Sequence, residues 1–197
     1  MVPNIKKIAA LTAFGGMVAL ASGSSHAQQQ QQGQVTVKAS GWYKVCDEGN
    51  QGKVCSVQFQ VVTQDNRLVT GLNLVEVEGE IKRRFFRIVV PAGRSIPPGV
   101  KLAVDGKQAS AIPFIVCKPR FCSAEVGLND DLVKVFKAGG EIVVSTVNFQ
   151  GTPQSVPVTL KGFTKAYDGP PVKREDAVSA QQDKLKEQLE QKVNSAE

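Results

Sequence analysis

Four cysteines, which stand in two local pairs, are the residues of this chain with the most definite chemistry. The pairs are Cys46 with Cys55 and Cys117 with Cys122. In an oxidising compartment an even number of cysteines is typical of disulfides, and we predict these two because each closes a short loop. One alternative is a zinc site, for which the spacings Cys-x8-Cys and Cys-x4-Cys are unusual. The other is a redox-active pair, which normally has the spacing Cys-x-x-Cys.

The only histidine, His26, lies in a segment with the features of an export signal. Lysines at positions 6 and 7 precede an apolar run over residues 8–21, and small residues fit a cleavage site that follows Ala27. That run is shorter than the roughly 20 residues that cross a bilayer. We therefore predict that residues 1–27 are a signal peptide. The mature chain is then periplasmic or secreted, with no transmembrane span and no imidazole for catalysis.

Cations and aromatic rings are interleaved over residues 82–87, whose sequence is KRRFFR. Such a segment can bind an anionic polymer or stack on bases. In a strand, Arg83 and Arg87 would face solvent, and a solvated face that protects a sheet edge from aggregation is the alternative to a binding patch. Lys118 and Arg120, on the loop between the second pair of cysteines, are expected to extend the patch. We call these four side chains the predicted basic face.

Carboxylates at Glu76, Glu78 and Glu80 alternate with valine and glycine, so we expect them on one strand face. Paired carboxylates can hydrolyse glycosides or bind calcium, but a solvated face beside the arginines is the interpretation that we favour. The sequence contains none of the motifs G-x-S-x-G, S-x-x-K, G-x-G-x-x-G or G-x-x-x-x-G-K-[ST]. We predict a protein that is not an enzyme and that carries no cofactor and no metal.

Short apolar segments with a period of two predict a chain made mainly of strands. We place strands at 42–46, 57–61, 68–77, 81–90, 100–104, 107–112, 114–117, 122–128, 141–149 and 156–160. Asp105-Gly106 is a type I′ hairpin signal. One short helix is expected to begin after Asn129 and end at Gly139, with Leu132, Val135 and Phe136 as its apolar stripe. The fold class is therefore mainly β, a single-domain β-sandwich or partly open barrel with one short helix.

Composition changes on either side of this domain. Residues 28–35 are glutamine-rich and predict a disordered leader, the β domain covers residues 36–170, and residues 171–197 predict a polar linker and tail helix. The formal net charge is +6, and loss of two lysines with the signal reduces it to +4. This charge is lower than a dedicated nucleic-acid binder carries, so the expected partners exclude nucleic acid and include anionic lipid or polysaccharide.

The stretch from 42 to 168 resembles the bacterial invasion-associated locus B family. The motifs that carry this resemblance occur in the family's order: Gly41-Trp42, Cys46, Cys55, Phe86-Arg87-Ile88, Pro91-Ala92-Gly93, Pro98-Gly99-Val100, Val104-Asp105-Gly106-Lys107, Ile112-Pro113-Phe114, Cys117, Cys122, Ala124-Glu125, Ser155-Val156-Pro157-Val158 and Leu160-Lys161-Gly162-Phe163. The chain departs from the family's pattern at Arg94-Ser95 and at Phe121, where aliphatic and small residues respectively are usual.

This resemblance implies an exported, all-β protein with a role at the cell envelope or in host interaction. We expect it to act by binding a protein or an anionic envelope component, or the host surface, through its rigid β domain, and to be periplasmic, secreted or peripheral to the envelope. The alternative is a periplasmic envelope-maintenance or chaperone-like factor without a host partner. Under that alternative, the tail helix would dock a second protein.

Overall fold

The computed structural model describes residues 37–49, 52–108 and 111–173, together with positions 175, 176, 179 and 183. The predicted signal peptide (1–27), the predicted leader up to residue 35 and most of the predicted tail lie outside the described residues. Among the described residues, no helix is long and apolar enough to cross a membrane.

Eleven strands and two short helices make up the described domain. The strands are β1 (Val37–Ala39), β2 (Tyr43–Gly49), β3 (Gly52–Thr63), β4 (Leu68–Gly79), β5 (Arg83–Pro91), β6 (Lys101–Val104), β7 (Lys107–Gln108), β8 (Phe114–Cys117), β9 (Phe121–Gly127), β10 (Glu141–Val147) and β11 (Pro153–Thr159). The helices are α1 (Asp130–Ala138) and α2 (Phe163–Asp168).

The strands form two antiparallel sheets, both of which are open. The larger sheet has seven strands in the order β1-β3-β4-β5-β9-β8, and β2 also pairs with β3. The smaller sheet has the order β11-β10-β6-β7. Most neighbours are consecutive in the chain, as short hairpin connections allow for antiparallel strands. The predicted mainly β fold is confirmed. Of the two predicted architectures, a β-sandwich and a partly open barrel, the observed open sheets correspond to the β-sandwich.

A continuous apolar core lies between the two sheets. On β5, Phe86, Ile88 and Val90 are buried, which confirms the alternation expected from the sequence. Ile142 and Val144 of the smaller sheet belong to the same buried cluster. At one end the core is aromatic: the rings of Trp42, Phe59, Phe86, Phe136 and Phe163 are linked by centroid distances of 5.0–5.7 Å.

Helix α1 has the limits that the sequence predicts. The Asn129 side chain accepts a hydrogen bond of 2.8 Å from the Leu132 amide, and Gly139 is the C-cap. Its buried residues are Val133 and Phe136, whereas Val135 is 47% exposed, so the predicted place of Val135 in the apolar stripe is wrong. The reason is the Phe136 ring, which packs against the rings of Phe86 and Phe163 and thereby fixes the rotation of the helix.

A second helix, α2, has no counterpart among the sequence predictions. It begins after Gly162, whose φ of 89° is left-handed, and it has no side-chain cap. The usual start signal of a helix, a Ser, Thr, Asp or Asn at the N-cap, is therefore missing from the sequence. The helix is held instead by Phe163, which is buried against Trp42 and Phe136.

Both predicted disulfides are present. Cys46–Cys55 joins β2 to β3, and Cys117–Cys122 joins β8 to β9; in each case the two residues are direct cross-strand partners. Among the described residues there is no free cysteine. Since β2 and β8 are outer strands of the larger sheet, each disulfide fastens an outer strand to its neighbour.

The predicted hairpin at Asp105-Gly106 is also confirmed. Both residues have positive φ, 48° and 76°, as a type I′ turn requires. The Asp105 carboxylate also accepts hydrogen bonds from the amides of Gly140 and Glu141, both 3.0 Å from Oδ1. This contact ties the turn to the start of β10, which explains the residue without a catalytic role.

Candidate functional site

Two members of the predicted basic face, Arg83 and Arg87, lie on β5 with Phe85 between them. Their guanidinium carbons are 4.7 and 5.0 Å from the centre of the Phe85 ring. Strand alternation places all three side chains on the face of the sheet that points away from the core, as predicted. Cation–π contacts with one shared ring hold the two guanidinium groups in defined positions.

Glu125 on β9 is the common partner of these two arginines. Its carboxylate lies 3.2 Å from Arg83 Nη2 and 2.5 Å from Arg87 Nη2, and its side chain is only 8% exposed. One carboxylate thus serves two guanidinium groups, which leaves a net local charge of +1. Glu125 lies directly opposite Arg87 because of the β5–β9 register. No local pattern in the sequence indicates that register, so Glu125 could not be predicted as a site residue.

The other two members, Lys118 and Arg120, lie at the opposite end of β5. Phe121, next to Arg120, pairs with Pro91, the last residue of the strand. Pro91 is four residues from Arg87, or about 13 Å along an extended strand. The structure therefore places the four predicted residues in two separate groups. Arg83 and Arg87 are on the outer face of the larger sheet, and Lys118 and Arg120 are on the β8–β9 turn.

A cleft of about 1140 Å³ opens between the sheets beside that turn. We call it the interlayer cleft. Its cationic residues are Arg67, Arg94 and Arg120, and its lining contains no carboxylate. Half of its sixteen lining residues are apolar, among them Leu68 and Val90 of the larger sheet. Arg67 forms an exposed ion pair of 2.6 Å with Asp65, whereas neither Arg94 nor Arg120 forms an ion pair with any described residue.

Among these arginines, Arg94 has a buried hydrogen-bond donor without an acceptor: its Nε has no hydrogen-bond partner among the described residues. Burial lowers the pKa of the Arg94 guanidinium, because the charge is partly removed from water without an anion beside it. Its backbone is fixed by a bridge to Asn148, which follows β10. In the sequence, Arg94 stands out only as a departure from the family pattern, and spacing along the chain does not indicate its contacts.

A second polar cluster joins β4, β5 and both helices. Arg84 donates to Glu76 (2.9 Å), Asp130 (2.8 Å) and the Tyr167 hydroxyl (3.1 Å), and that hydroxyl donates to Glu76 (2.7 Å). These partners raise the pKa of Arg84, and Arg84 in turn lowers the pKa of Asp130. The pKa of Tyr167 is raised, mainly because its hydroxyl is partly buried. Every member has partners, so the cluster acts as a clamp between elements.

The predicted absence of a metal site rests on the sequence alone. Within the described ranges, no group of three or more His, Cys, Asp or Glu side chains could hold a metal ion. Of the three glutamates expected on one solvated face, Glu76 instead belongs to the clamp, while Glu78 and Glu80 are exposed.

Taken together, the fold defines a small, disulfide-stabilised antiparallel β-sandwich that carries two separate groups of arginines. The family model described as invasion associated locus B (IalB) protein matches residues 42–171. The chain therefore belongs to this invasion-associated family, as the sequence motifs predicted.

A crystal structure of invasion associated protein B from Bartonella henselae is similar to this chain. The TM-score is 0.55 at 22% sequence identity, and the match covers 72% of this chain and 93% of the other. This likeness shows that the two proteins share a fold. A search of curated proteins found no match.

Proposed function

We propose that the chain is an exported, non-enzymatic binding protein that presents cations on a rigid sheet face to an anionic polysaccharide of the cell envelope or of the host surface. Membership of an invasion-associated family supports the setting. Two disulfides support export, since such bonds persist mainly in oxidising compartments.

One observation carries the choice of surface, namely the arrangement of Arg83 and Arg87 on either side of Phe85. The Arg83 side chain is 62% exposed, so it is accessible to a partner. A polyanion gains from cations that are already ordered, because little side-chain entropy is lost on binding. The buried Glu125 carboxylate orders these guanidinium groups, which still carry an excess positive charge.

The test is binding to heparin, used as a sulfated polysaccharide probe. Replacing only the arginines would leave Glu125 without its partners, so the informative variant is R83Q/R87Q/E125Q, whose net charge falls by one. We expect its affinity for heparin to fall about tenfold or more, with a weaker dependence on salt, because ordered cations are lost from the contact.

The matched control is K161Q, which removes one charge from an exposed lysine elsewhere in the domain. It should bind heparin nearly as the unmodified chain does. The proposal fails if K161Q and R83Q/R87Q/E125Q weaken binding equally, because net charge and not the ordered pair would then be responsible. Urea unfolding of both variants checks that the fold is retained.

A further inference from the structure

We infer that the interlayer cleft binds a small anionic amphiphile, with an acyl chain between the sheets and a carboxylate or phosphate-monoester head group on Arg94 and Arg120. This inference goes beyond the proposed function and uses different residues. Its site lies at the opposite end of β5 from Arg83.

The shape of the cleft suits the apolar part of such a ligand. Val90 of the larger sheet and Val144 of the smaller sheet line the cleft and are only 3% and 2% exposed, so the cavity reaches the inner faces of both sheets. Phe121 and Val156, which are half-buried, add apolar surface. The volume, about 1140 Å³, is slightly larger than the range of about 300–1,000 Å³ that is usual for small-molecule sites, so the cleft has room for an acyl chain.

The charges of the cleft suit an anionic head group. Three guanidinium groups line it without any carboxylate, and only Arg67 has an ion-pair partner among the described residues. Guanidinium forks recognise carboxylate and phosphate oxygens by paired hydrogen bonds. A neutral lipid would leave these charges unmatched, and a short anion would leave the apolar lining unused.

The unpaired Nε of Arg94 is the observation that points to a ligand. A buried donor without an acceptor is costly, and native structures contain few of them. An anionic oxygen beside the guanidinium would compensate the positive charge that burial has partly removed from water, and a small shift of the Arg94 side chain would bring its buried Nε within reach of that oxygen. Arg120 is exposed at the same cleft and can contact the second oxygen of the head group.

The experiment is calorimetric titration of the oxidised chain with dodecanoate and dodecyl phosphate below their micelle concentrations. Dodecanol supplies the same chain without a charge, and butyrate supplies a carboxylate without the long chain. We expect one amphiphile to bind per chain and both control ligands to bind at least tenfold more weakly. Equal affinity for dodecanol or for butyrate overturns the inference, and so does an absence of binding by either amphiphile.

Three variants locate the site. R94M and R120Q should each weaken binding of the better amphiphile about tenfold or more, because each removes a charged hydrogen bond. K118Q is the matched control: it removes a charge two residues from Arg120, on the same turn but outside the cleft lining. R94M should also unfold at a urea concentration no lower than that of the unmodified chain, since it removes an unpaired donor. Unchanged amphiphile binding in both arginine variants contradicts the inference.

The outcomes also separate this site from the proposed polysaccharide surface. R83Q/R87Q/E125Q should bind the amphiphile normally, and R94M should bind heparin nearly as the unmodified chain does. Loss of amphiphile binding in R83Q/R87Q/E125Q would show that the ligand uses the outer face, and the cleft assignment would then be wrong.

Discussion

Arg83 and Arg84 are neighbours in the chain but project from opposite faces of β5, as strand alternation requires. Arg83 reaches over Phe85 to Glu125, which it shares with Arg87. Arg84 instead contacts Glu76, Asp130 and the Tyr167 hydroxyl. One guanidinium therefore remains mostly exposed, while the other joins two strands to two helices.

At the scale of single residues, the hydroxyl of Tyr167 offers a test of the clamp that it forms with Arg84, Glu76 and Asp130. We expect Y167F to lower the free energy of unfolding by about 1 kcal/mol at neutral pH, because two hydrogen bonds of a half-buried hydroxyl are lost. The folded pKa of Tyr167 is raised above its ordinary value of 10.0, mainly by burial. The hydroxyl's contribution is therefore fully present below about pH 10 and is lost as pH rises through the folded pKa.

Urea unfolding of both proteins at pH 7 and above about pH 10 measures this effect. The difference in stability between the unmodified chain and Y167F should shrink in the alkaline samples. A difference that stays constant would mean that the hydroxyl titrates alike in the folded and unfolded states. Lysines also titrate in this range, but they do so in both proteins and cancel in the comparison.

At the scale of helices and strands, the sequence predicts those elements whose pattern or capping residues lie within the element itself. The alternation of Phe86, Ile88 and Val90 identified β5, and Asn129 with Gly139 delimited α1. Helix α2 has no local start signal, since Phe163 and its aromatic neighbours hold it. The partner role of Glu125 depends on the β5–β9 register, which joins residues 38 positions apart. Sequence alone therefore located the arginines but not their partners.

At the scale of secondary-structure elements, the prediction concerns the N-cap residue of α1, Asn129. N129A should lower the free energy of unfolding by about 1 kcal/mol, because the Leu132 amide loses its acceptor at the start of the helix. N129S supplies another side-chain oxygen at the cap and should restore most of the loss. Urea unfolding followed by circular dichroism measures both variants. Equal stability of N129A and the unmodified chain would show that packing of Phe136 alone holds this helix.

For the molecule as a whole, the main result is that two groups of arginines lie at different positions along β5. Arg83 and Arg87 lie on the outer face over its first half, and Arg94 and Arg120 line the cleft near its end. Arg83, Arg87 and Arg120 belong to the larger sheet, whose outer strands β2 and β8 are fastened by disulfides, whereas Arg94 is bridged to Asn148 beside the smaller sheet. A polysaccharide and an amphiphile could therefore bind at the same time without competing.

The whole-molecule prediction concerns export. Protein recovered from the periplasm should have the intact mass of a chain that lacks residues 1–27, and its four cysteines should resist alkylation until a reductant is added. Mass spectrometry with and without reduction measures both properties. A retained N-terminal segment, or thiols that react without reductant, would contradict export into an oxidising compartment.

The Cys117–Cys122 bond has a further consequence for resistance to proteolysis. It encloses the turn that carries Arg120, a residue after which trypsin-like proteases cut a chain; Lys118 is followed by Pro119, which blocks cleavage there. A cut after Arg120 would divide the backbone, yet the two fragments would stay joined through sulfur, and β8 would remain attached to β9. An exposed, cationic turn is thereby protected against dissociation, although it is not protected against cleavage.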